Sequence, residues 1–110
     1  MNEKLLNDIL KFRDDRNWKQ FHNSKDLAIS LQLEASELLE NFQWKSSTEA
    51  EEANREDIAD ELADVLMYGV LLADSMGFDL EEVIKKKLEK NKQKYPVSKA
   101  YGNKTKYTKL

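Results

Sequence analysis

The sequence has 110 residues and contains no cysteine, only one proline and only three glycines. The absence of cysteine excludes a disulfide framework and thiolate metal sites. No apolar run is long enough to span a bilayer, and the first residues do not form a signal-peptide pattern. We therefore expect a cytoplasmic protein that has no membrane partner.

The scarcity of glycine and proline leaves few positions that would interrupt a helix. β-Branched residues never form an alternating run, whereas apolar residues recur at helical spacing along most of the chain. The sequence therefore predicts an all-α fold, a four-helix bundle. The predicted helices run from about Asn2 to Arg16, from Ser24 to near Trp44, from Glu49 to about Met76, and from Asp79 to Tyr95.

Short polar side chains mark the expected helix starts. Ser24 is expected to cap the second helix, and either Ser47 or Thr48 the third, because a hydroxyl can accept a hydrogen bond from a free amide of the first turn. The other boundary signals are Gly77 as a left-handed cap, Asp79 with Glu82 as a capping box, and Pro96 as a stop.

A chain of this length forms one domain, near the size at which a second copy helps to cover apolar surface. We therefore expect a homodimer or a homotetramer. The domain is predicted to span residues 1–96, and residues 97–110 form a polar tail that contains four lysines. Such a tail is expected to be flexible or to lie over a neighbouring surface.

Charge is distributed unevenly along the chain. Of the 18 Lys and Arg residues, ten lie from Lys85 onward, whereas 20 of the 21 Asp and Glu residues lie before that point. A basic tail can hold nucleic acid, but here the lysines are partly spaced around an amphipathic helix and are not interleaved with aromatic residues. A solvated face is the favoured interpretation, and we expect no stable nucleic-acid partner.

Residues 33–44, LEASELLENFQW, place a carboxylate where an amphipathic helix should carry a core residue. At about 100° per residue, Glu34 projects into an apolar stripe and Glu37 lies on its flank. A buried carboxylate needs a partner. A second acidic pair with the same spacing, Glu61 and Asp64, lies beside the apolar stripe of the third predicted helix. The two stripes consist of Leu27, Leu31, Ala35, Leu38 and Phe42, and of Ile58, Leu62, Val65, Gly69, Leu72 and Met76.

These two acidic pairs predict a single metal site. Side chains three residues apart on a helix lie about 5 to 6 Å apart on one face, so each pair can share a cation. An all-oxygen cluster suits magnesium or manganese better than zinc, and magnesium commonly shares its ligands with substrate phosphates. Phosphate-ester chemistry is therefore the leading hypothesis. The alternative is a set of solvated acidic flanks paired with lysines, which is common in a chain that is 35% charged.

The remaining candidate side chains each have a structural interpretation as well. A di-iron carboxylate bundle requires E-x-x-H pairs, and the only histidine, His22, lies outside both acidic helices. His22 alone is more typical of a surface or capping residue. Trp18 and Trp44 would by default be core or interface residues, and Tyr68, one turn after Asp64, could equally be a packing residue.

Three segments together resemble the all-α nucleotide pyrophosphohydrolases of the MazG-like group, and most closely its small dCTP pyrophosphatase branch. They are NWKQFHNSKDLAISLQLEASELLENFQW, DELADVLMYGVLLAD and KLEKNKQKYP, and they span most of the chain from Asn17 to Pro96. Each acidic pair alone is a weak signal, whereas the ordered set is specific. One departure is visible, because Leu33 stands where several other branches have an additional glutamate.

The resemblance implies a helical protomer that assembles into dimers or tetramers and hydrolyses a nucleoside triphosphate to the monophosphate and pyrophosphate. It favours a deoxycytidine-type or modified pyrimidine substrate, and a role in removing unwanted nucleotides before a polymerase uses them is a further hypothesis that fits this reaction. By matching position, the magnesium ligands would be Glu34, Glu37, Glu61 and Asp64. The residues that contact substrate would be Trp18, His22, Lys25, Trp44, Tyr68, Lys87 and Asn91, in part across a subunit boundary.

Within this chemistry, the residues expected to act directly on the reaction are Glu34, Glu37 and Lys25. Glu37 or Glu34 would take the proton of the attacking water. Lys25 lies at the start of the second helix, near amides whose partial positive charge also favours phosphate. Two other functions remain open on the sequence: a non-catalytic helical interaction module, and a phosphatase that releases single phosphates.

Overall fold

The computed structural model describes residues 1–110 and contains helices and turns but no β-strand. This confirms the predicted all-α class. Two short 3-10 turns lie at Lys19–Phe21 and Tyr107–Lys109. The α-helices are α1 (Glu3–Asp15), α2 (Ser24–Glu40), α3 (Ser47–Ala53), α4 (Arg55–Ser75), α5 (Leu80–Lys94) and α6 (Val97–Ala100). None of them combines the length and the apolarity that a membrane-crossing helix needs.

The bundle has six helices where four were predicted, because the third predicted helix is two helices and the short helix α6 lies in the predicted tail. The chain breaks at Asn54, whose backbone angles of φ −123° and ψ 25° are not helical. Its amide donates to the Ala50 carbonyl and its carbonyl accepts from the Ile58 amide, so it ends α3 and starts α4. Residues 47–57 are charged and helix-compatible and contain neither proline nor glycine, which is why the sequence pattern did not predict the break.

The caps of α2 and α3 each lie one residue or more before the predicted positions. Asn23, not Ser24, caps α2, because its carboxamide oxygen accepts from the Asp26 amide at 2.9 Å. Ser46, not Ser47 or Thr48, caps α3 by accepting from the Glu49 amide at 3.2 Å. In each segment several short polar residues stand in a row, and any of them could serve as the cap.

The end of α2 also differs from the prediction. The helix stops at Glu40, and the residues that follow form a series of tight turns rather than a further helical turn to Trp44. Asn41 is the C-cap, and its side-chain nitrogen lies 3.4 Å from the carbonyls of both Glu37 and Leu38. An asparagine that hydrogen-bonds nearby carbonyls competes with the helical ladder, which explains the early stop.

The predicted signals at the ends of α4 and α5 are confirmed. Gly77 has φ +69°, a left-handed conformation that suits glycine. Asp79 caps α5 by accepting from the Glu82 amide at 3.1 Å. Pro96 follows the end of α5 and itself precedes the short helix α6.

The chain divides into two compact units, Met1–Gly77 and Phe78–Leu110. In the first unit, α2 packs most extensively against α4, and α1 and α3 pack on α4 less extensively. In the second unit, Tyr107 packs edge-on against Tyr95, with ring centroids 5.9 Å apart, and Lys94 lies 4.7 Å above the Tyr107 ring. The predicted tail of residues 97–110 therefore contributes an aromatic contact to the second unit.

Burial along α2 follows the predicted stripe, whereas burial along α4 departs from it. Leu27 is fully buried, and the other four stripe residues of α2 are half-buried. On α4, Leu62 and Met76 were predicted to be in the core but are about half exposed, and Val70 and Ala73 are buried instead. The other four predicted residues are half-buried, so the buried face of α4 follows the predicted stripe in part: Ile58, Val65, Gly69 and Leu72.

One charged side chain is buried in the first unit. Arg13 of α1 is only 4% exposed, and its Nη1 donates to Asp74 Oδ2 of α4 at 2.7 Å. Its Nε donates to the exposed Asp14 at 2.8 Å. Because a buried guanidinium is costly unless it is hydrogen-bonded, this pair fixes the end of α1 against the end of α4.

Removing the Asp74 carboxylate should therefore destabilise the protein. In Asp74→Ala, the Nη1 group of Arg13 loses its partner while Asp14 still accepts from Nε. We expect the free energy of unfolding in urea to fall by about 1–3 kcal/mol. The matched control is Asp8→Ala, which breaks an exposed pair with Lys4 on α1. It should cost less than about 0.5 kcal/mol, and equal losses in the two variants would contradict the role of Asp74.

Candidate metal centre

The centre is built on α2 around Glu34. This residue lies among the half-buried stripe residues of the helix, next to Ala35 and one turn after Leu31. The prediction that a carboxylate projects into the apolar stripe is therefore confirmed. Glu37, one turn further along, is exposed, as expected for a residue on the flank.

Helix α4 brings two more carboxylates to the same place. Glu61 and Asp64 are both half-buried, and one oxygen each of Glu34, Glu61 and Asp64 lies within 4.8 Å of the others. Two helices that are distant in sequence thus contribute acidic groups to one cluster, which we call the carboxylate cluster. The three oxygens are close enough to be shared by one small ion.

Burial and crowding raise the pKa of two of these groups. The pKa of Glu34 is raised to about 7 from an ordinary value of 4.5, first by the loss of hydration and then by the neighbouring Glu37, Glu61 and Asp64. The pKa of Glu61 is also raised, mainly by loss of hydration. Glu37 contributes to both shifts, so it lies beside the cluster although it is exposed. The cluster therefore favours either a retained proton or a neutralising cation.

The hydrogen bonding of the cluster is incomplete in a way that fits a cation. Glu34 Oε2 and Glu61 Oε2 are both buried and have no hydrogen-bond partner. Buried carboxylate oxygens without partners are rare in folded proteins. No lysine or arginine forms an ion pair with Glu34, Glu61 or Asp64. A set of oxygen donors without a basic partner matches the preferences of magnesium or manganese.

The segment between α1 and α2 carries three of the predicted substrate residues. His22 is half-buried, and its Nδ1 atom is buried without a hydrogen-bond partner. Lys25 is exposed in the first turn of α2 and forms no ion pair. Trp18 is 44% exposed and packs edge-on against Phe12, with ring centroids 5.7 Å apart.

Arg16 also belongs to this segment, although the sequence analysis assigned it no role. Its guanidinium lies 3.8 Å from the centroid of the Phe12 ring and 6.0 Å from that of Trp18. The spacing of four residues between Phe12 and Arg16 was the available signal, because residues i and i+4 of a helix are neighbours. Arg16 and Phe12 together hold Trp18 at the end of α1.

The structure confirms the predicted position of Tyr68 but not that of Trp44. Tyr68 is half-buried on α4, one turn after Asp64, as predicted. Trp44 is 91% exposed and has φ +65°, a conformation that is unusual for a bulky residue. The prediction that Trp44 lies at the end of α2 was wrong, because it stands in the turns after the helix.

Lys87 and Asn91 lie one turn apart on α5, in the second unit, and both are exposed. They share a helix face because their spacing is four residues. Their proposed contact with substrate stays a prediction.

Comparison with known proteins extends these observations. The family model of the MazG-like family matches residues 29–110. The chain is 39% identical to dCTP pyrophosphatase 1 of Mus musculus and 36% identical to that of Homo sapiens, and each alignment covers 98% of this chain and 69% of the relative. Among solved structures, a pyrophosphatase from Archaeoglobus fulgidus is similar with a TM-score of 0.80 and 42% identity, over 86% of this chain and 91% of that one.

The raised pKa of Glu34 predicts how the stability of the metal-free protein depends on pH. Between about pH 4.5 and pH 7, folded Glu34 keeps its proton while unfolded Glu34 releases it. The free energy of unfolding should therefore fall as pH rises through this window and level off above it. Glu34→Gln should reduce the fall, which urea unfolding at pH 5 and pH 8 in EDTA would measure.

The matched control for this prediction is Glu40→Gln, which changes an exposed glutamate at the end of the same helix. It should keep the slope of the unchanged protein. If Glu34→Gln and Glu40→Gln lost stability equally between pH 5 and pH 8, burial of the Glu34 carboxylate would not be the cause.

Proposed function

Because the chain belongs to the MazG-like family, we propose that it is a nucleotide pyrophosphohydrolase that converts a nucleoside triphosphate to the monophosphate and pyrophosphate. The observation that carries this proposal is the carboxylate cluster, in which two helices bring Glu34, Glu61 and Asp64 within 4.8 Å. Such a cluster is suited to binding the cation that accompanies a triphosphate.

The proposed metal ligands are Glu34, Glu37, Glu61 and Asp64, and the proposed ion is magnesium, with manganese as a second candidate. The two unpartnered buried oxygens, on Glu34 and Glu61, support this assignment. When bound, such an ion neutralises phosphate charge and lowers the pKa of water.

Glu37 is the better of the two candidates for the general base. It is exposed, so water and substrate can reach its carboxylate, whereas Glu34 is half-buried within the cluster. In the proposed reaction, a water oxygen bonds to phosphorus, one P–O bond of the α–β bridge breaks, and the water proton passes to Glu37. The leaving pyrophosphate takes the electron pair of the broken bond.

The proposed substrate contacts divide by chemistry. His22 and the unpaired Lys25 are assigned to the phosphates, because an imidazole and an ammonium can both donate hydrogen bonds to phosphate oxygens. Lys25 also lies in the first turn of α2, where backbone amides favour anions. The residues assigned to base and sugar are Trp18, Trp44 and Tyr68, together with Lys87 and Asn91 from the second unit.

Trp44 is the strongest candidate for stacking on the nucleobase. Its ring is 91% exposed and its backbone is left-handed at φ +65°. Backbone strain of this kind persists where function requires it, and base–aromatic stacking is favourable for any base. A pyrimidine deoxynucleotide such as dCTP is proposed as the preferred substrate, because the named relatives are dCTP pyrophosphatases.

We also propose that the chain works as a homodimer or homotetramer. Only four apolar side chains of the first unit are buried, and Ile29 with Leu33 on α2 and Leu62 with Leu66 on α4 are each about half exposed or more. A second copy would remove this apolar surface from water. Light scattering should give a mass of two or four chains, and a mass of one chain would contradict the proposal.

A cytoplasmic role in removing unwanted nucleotides before polymerases use them is consistent with this reaction. Two other functions compete with it. A non-catalytic interaction module would bind a partner without turnover, and a phosphatase would release single phosphates. The products formed from nucleoside triphosphates distinguish all three.

The decisive variant is Glu61→Gln, which removes one negative charge from the cluster without changing the shape of the side chain. We expect magnesium-dependent turnover of dCTP to fall at least about 100-fold, because even partners of metal ligands typically contribute 10- to 100-fold. Asp60→Asn is the matched control, since Asp60 is the exposed neighbour of Glu61 on α4 and lies outside the cluster. Circular dichroism should show unchanged helicity in both.

The assay uses a panel of canonical and modified nucleoside triphosphates with magnesium, and it separates pyrophosphate from orthophosphate. Pyrophosphate with monophosphate supports the proposed reaction, and a lower KM for dCTP than for purine nucleotides supports the preference. Orthophosphate alone indicates a phosphatase, and no product indicates a binding module. Full activity in Glu61→Gln would contradict the assignment of Glu61 as a metal ligand.

A further inference from the structure

We propose that Asn54 is a positioning residue for the carboxylate cluster, through a hydrogen bond that sets the register of α2 against α4. Its side-chain Nδ2 donates to the Asn41 carbonyl at 2.9 Å. This inference rests on the proposed cation site. It adds a residue that belongs to neither acidic pair and to none of the substrate positions.

The position of this hydrogen bond links it to the cluster. Asn41 lies seven residues after Glu34 on the α2 side, and Asn54 lies seven residues before Glu61 on the α4 side. From the cluster to this hydrogen bond, the residue numbers rise along α2 and fall along α4. The two helices therefore run antiparallel. Seven residues are about two helical turns, or about 10.5 Å along each helix. The Asn41–Asn54 bond and the Glu34–Glu61 contact therefore belong to one register.

The apolar packing leaves this end of the helix pair weakly specified. The buried apolar residues of α2 and α4 are Leu27, Val70 and Ala73, and all three lie on the far side of the cluster from Asn54. On the near side, only Ala50 of α3 is fully buried, and the apolar stripe residues of the helix pair are half-buried: Leu38, Phe42 and Ile58. Because apolar burial is not directional, it permits small sliding movements that a hydrogen bond of defined geometry opposes.

The cluster itself opposes close approach of the two helices. Its carboxylates carry like charges when ionised, and no basic side chain is paired with them. Only two side-chain hydrogen bonds join residues far apart in the chain, Arg13 to Asp74 and Asn54 to Asn41. The Arg13–Asp74 bond connects α1 with α4. The Asn54–Asn41 bond is the one that connects the two segments that carry the acidic pairs.

Asn54 also satisfies a group that would otherwise lack a partner. The last carbonyls of a helix have no intrahelical donor, and Asn41 is the C-cap of α2. Asn54 is suited to this role because it is the single residue between α3 and α4 and its side chain is not used to cap α4. Its carboxamide is therefore available to reach back to α2.

The test is Asn54→Asp in the full chain, because aspartate has the same shape but cannot donate. Aspartate is also favoured at a helix start, and an added negative charge would favour cation binding. Weaker binding would therefore come from the changed contact with Asn41, where the hydrogen bond is lost and the new carboxylate repels the carbonyl oxygen. We expect the dissociation constant for Mn²⁺, measured by electron paramagnetic resonance of the free ion without nucleotide, to rise about 10- to 100-fold.

Three further variants separate positioning from general destabilisation. Asn103→Asp removes a matched donor, since Asn103 Nδ2 donates to the Lys99 carbonyl at 2.8 Å in the second unit. Asp74→Ala lowers stability without touching the α2–α4 register. Both should bind Mn²⁺ as the unchanged protein does. Asn54→Ser, which keeps a small polar residue but is too short to reach Asn41, should match Asn54→Asp and replaces it if that variant does not fold.

A second readout measures the register without any metal. The chain has no cysteine, so spin labels can be placed at Ser36→Cys on α2 and Ala59→Cys on α4, both exposed. With labelled chains diluted in unlabelled ones, the distance distribution should shift or broaden by a few ångströms in Asn54→Asp, since one helical turn is about 5.4 Å.

The outcomes distinguish this inference from the proposed function. Weaker Mn²⁺ binding together with a changed distance supports Asn54 as a positioning residue. An unchanged distance, or a changed distance with unchanged affinity, overturns it. If the unchanged protein binds no Mn²⁺, the proposed cation site fails and the functional part of this inference fails with it, while the distance still decides whether Asn54 sets the register.

Discussion

The structure of the first unit depends on the way α2 and α4 hold carboxylates together in a partly buried place. Glu34, Glu61 and Asp64 approach within 4.8 Å although their charges repel. Without a cation, the pKa of Glu34 rises to about 7, so the proton it retains offsets part of this repulsion. The fold is therefore built to be completed by a positive charge. The surrounding apolar stripe makes that requirement stronger, because it excludes the water that would otherwise screen the charges.

The composition predicted the fold class because helix breakers are scarce, and the stripe of α2 predicted the placement of Glu34 because a single interruption of a regular pattern stands out. Helix boundaries were less predictable. Asn23 and Ser46 each stand in runs of short polar residues, where several positions could serve as a cap, and Asn54 stands in a charged segment without a proline or glycine to mark a break. The burial along α4 was also predicted only in part, because Leu62 and Met76 were assigned to the core, although Val70 and Ala73 occupy it.

The meeting of the two acidic pairs could not be derived from the spacing within each pair. Spacing fixes which face of a helix a carboxylate occupies, but the register between two helices depends on tertiary contacts. The Asn41–Asn54 hydrogen bond is such a contact, and its donor, Asn54, lies 13 residues from the acceptor and outside all three segments that carry the family resemblance. The exposed position of Trp44 could not be derived from the sequence pattern either. Its left-handed backbone arises from the turns after α2, which the continuous apolar pattern concealed.

The distribution of charge places a constraint on the proposed reaction. The first 77 residues contain 17 acidic and 8 basic side chains, so the unit that carries the carboxylate cluster repels a triphosphate. Lys25 is one of the few unpaired basic groups near the start of α2, and a single ammonium does not offset this field. A nucleotide that carries a divalent cation has a lower negative charge and presents a positive centre to Glu34, Glu61 and Asp64. In the proposed reaction, the same carboxylates that oppose the free nucleotide would favour its cation complex, so the cluster would select the cation-bound form of the substrate as well as hold the ion.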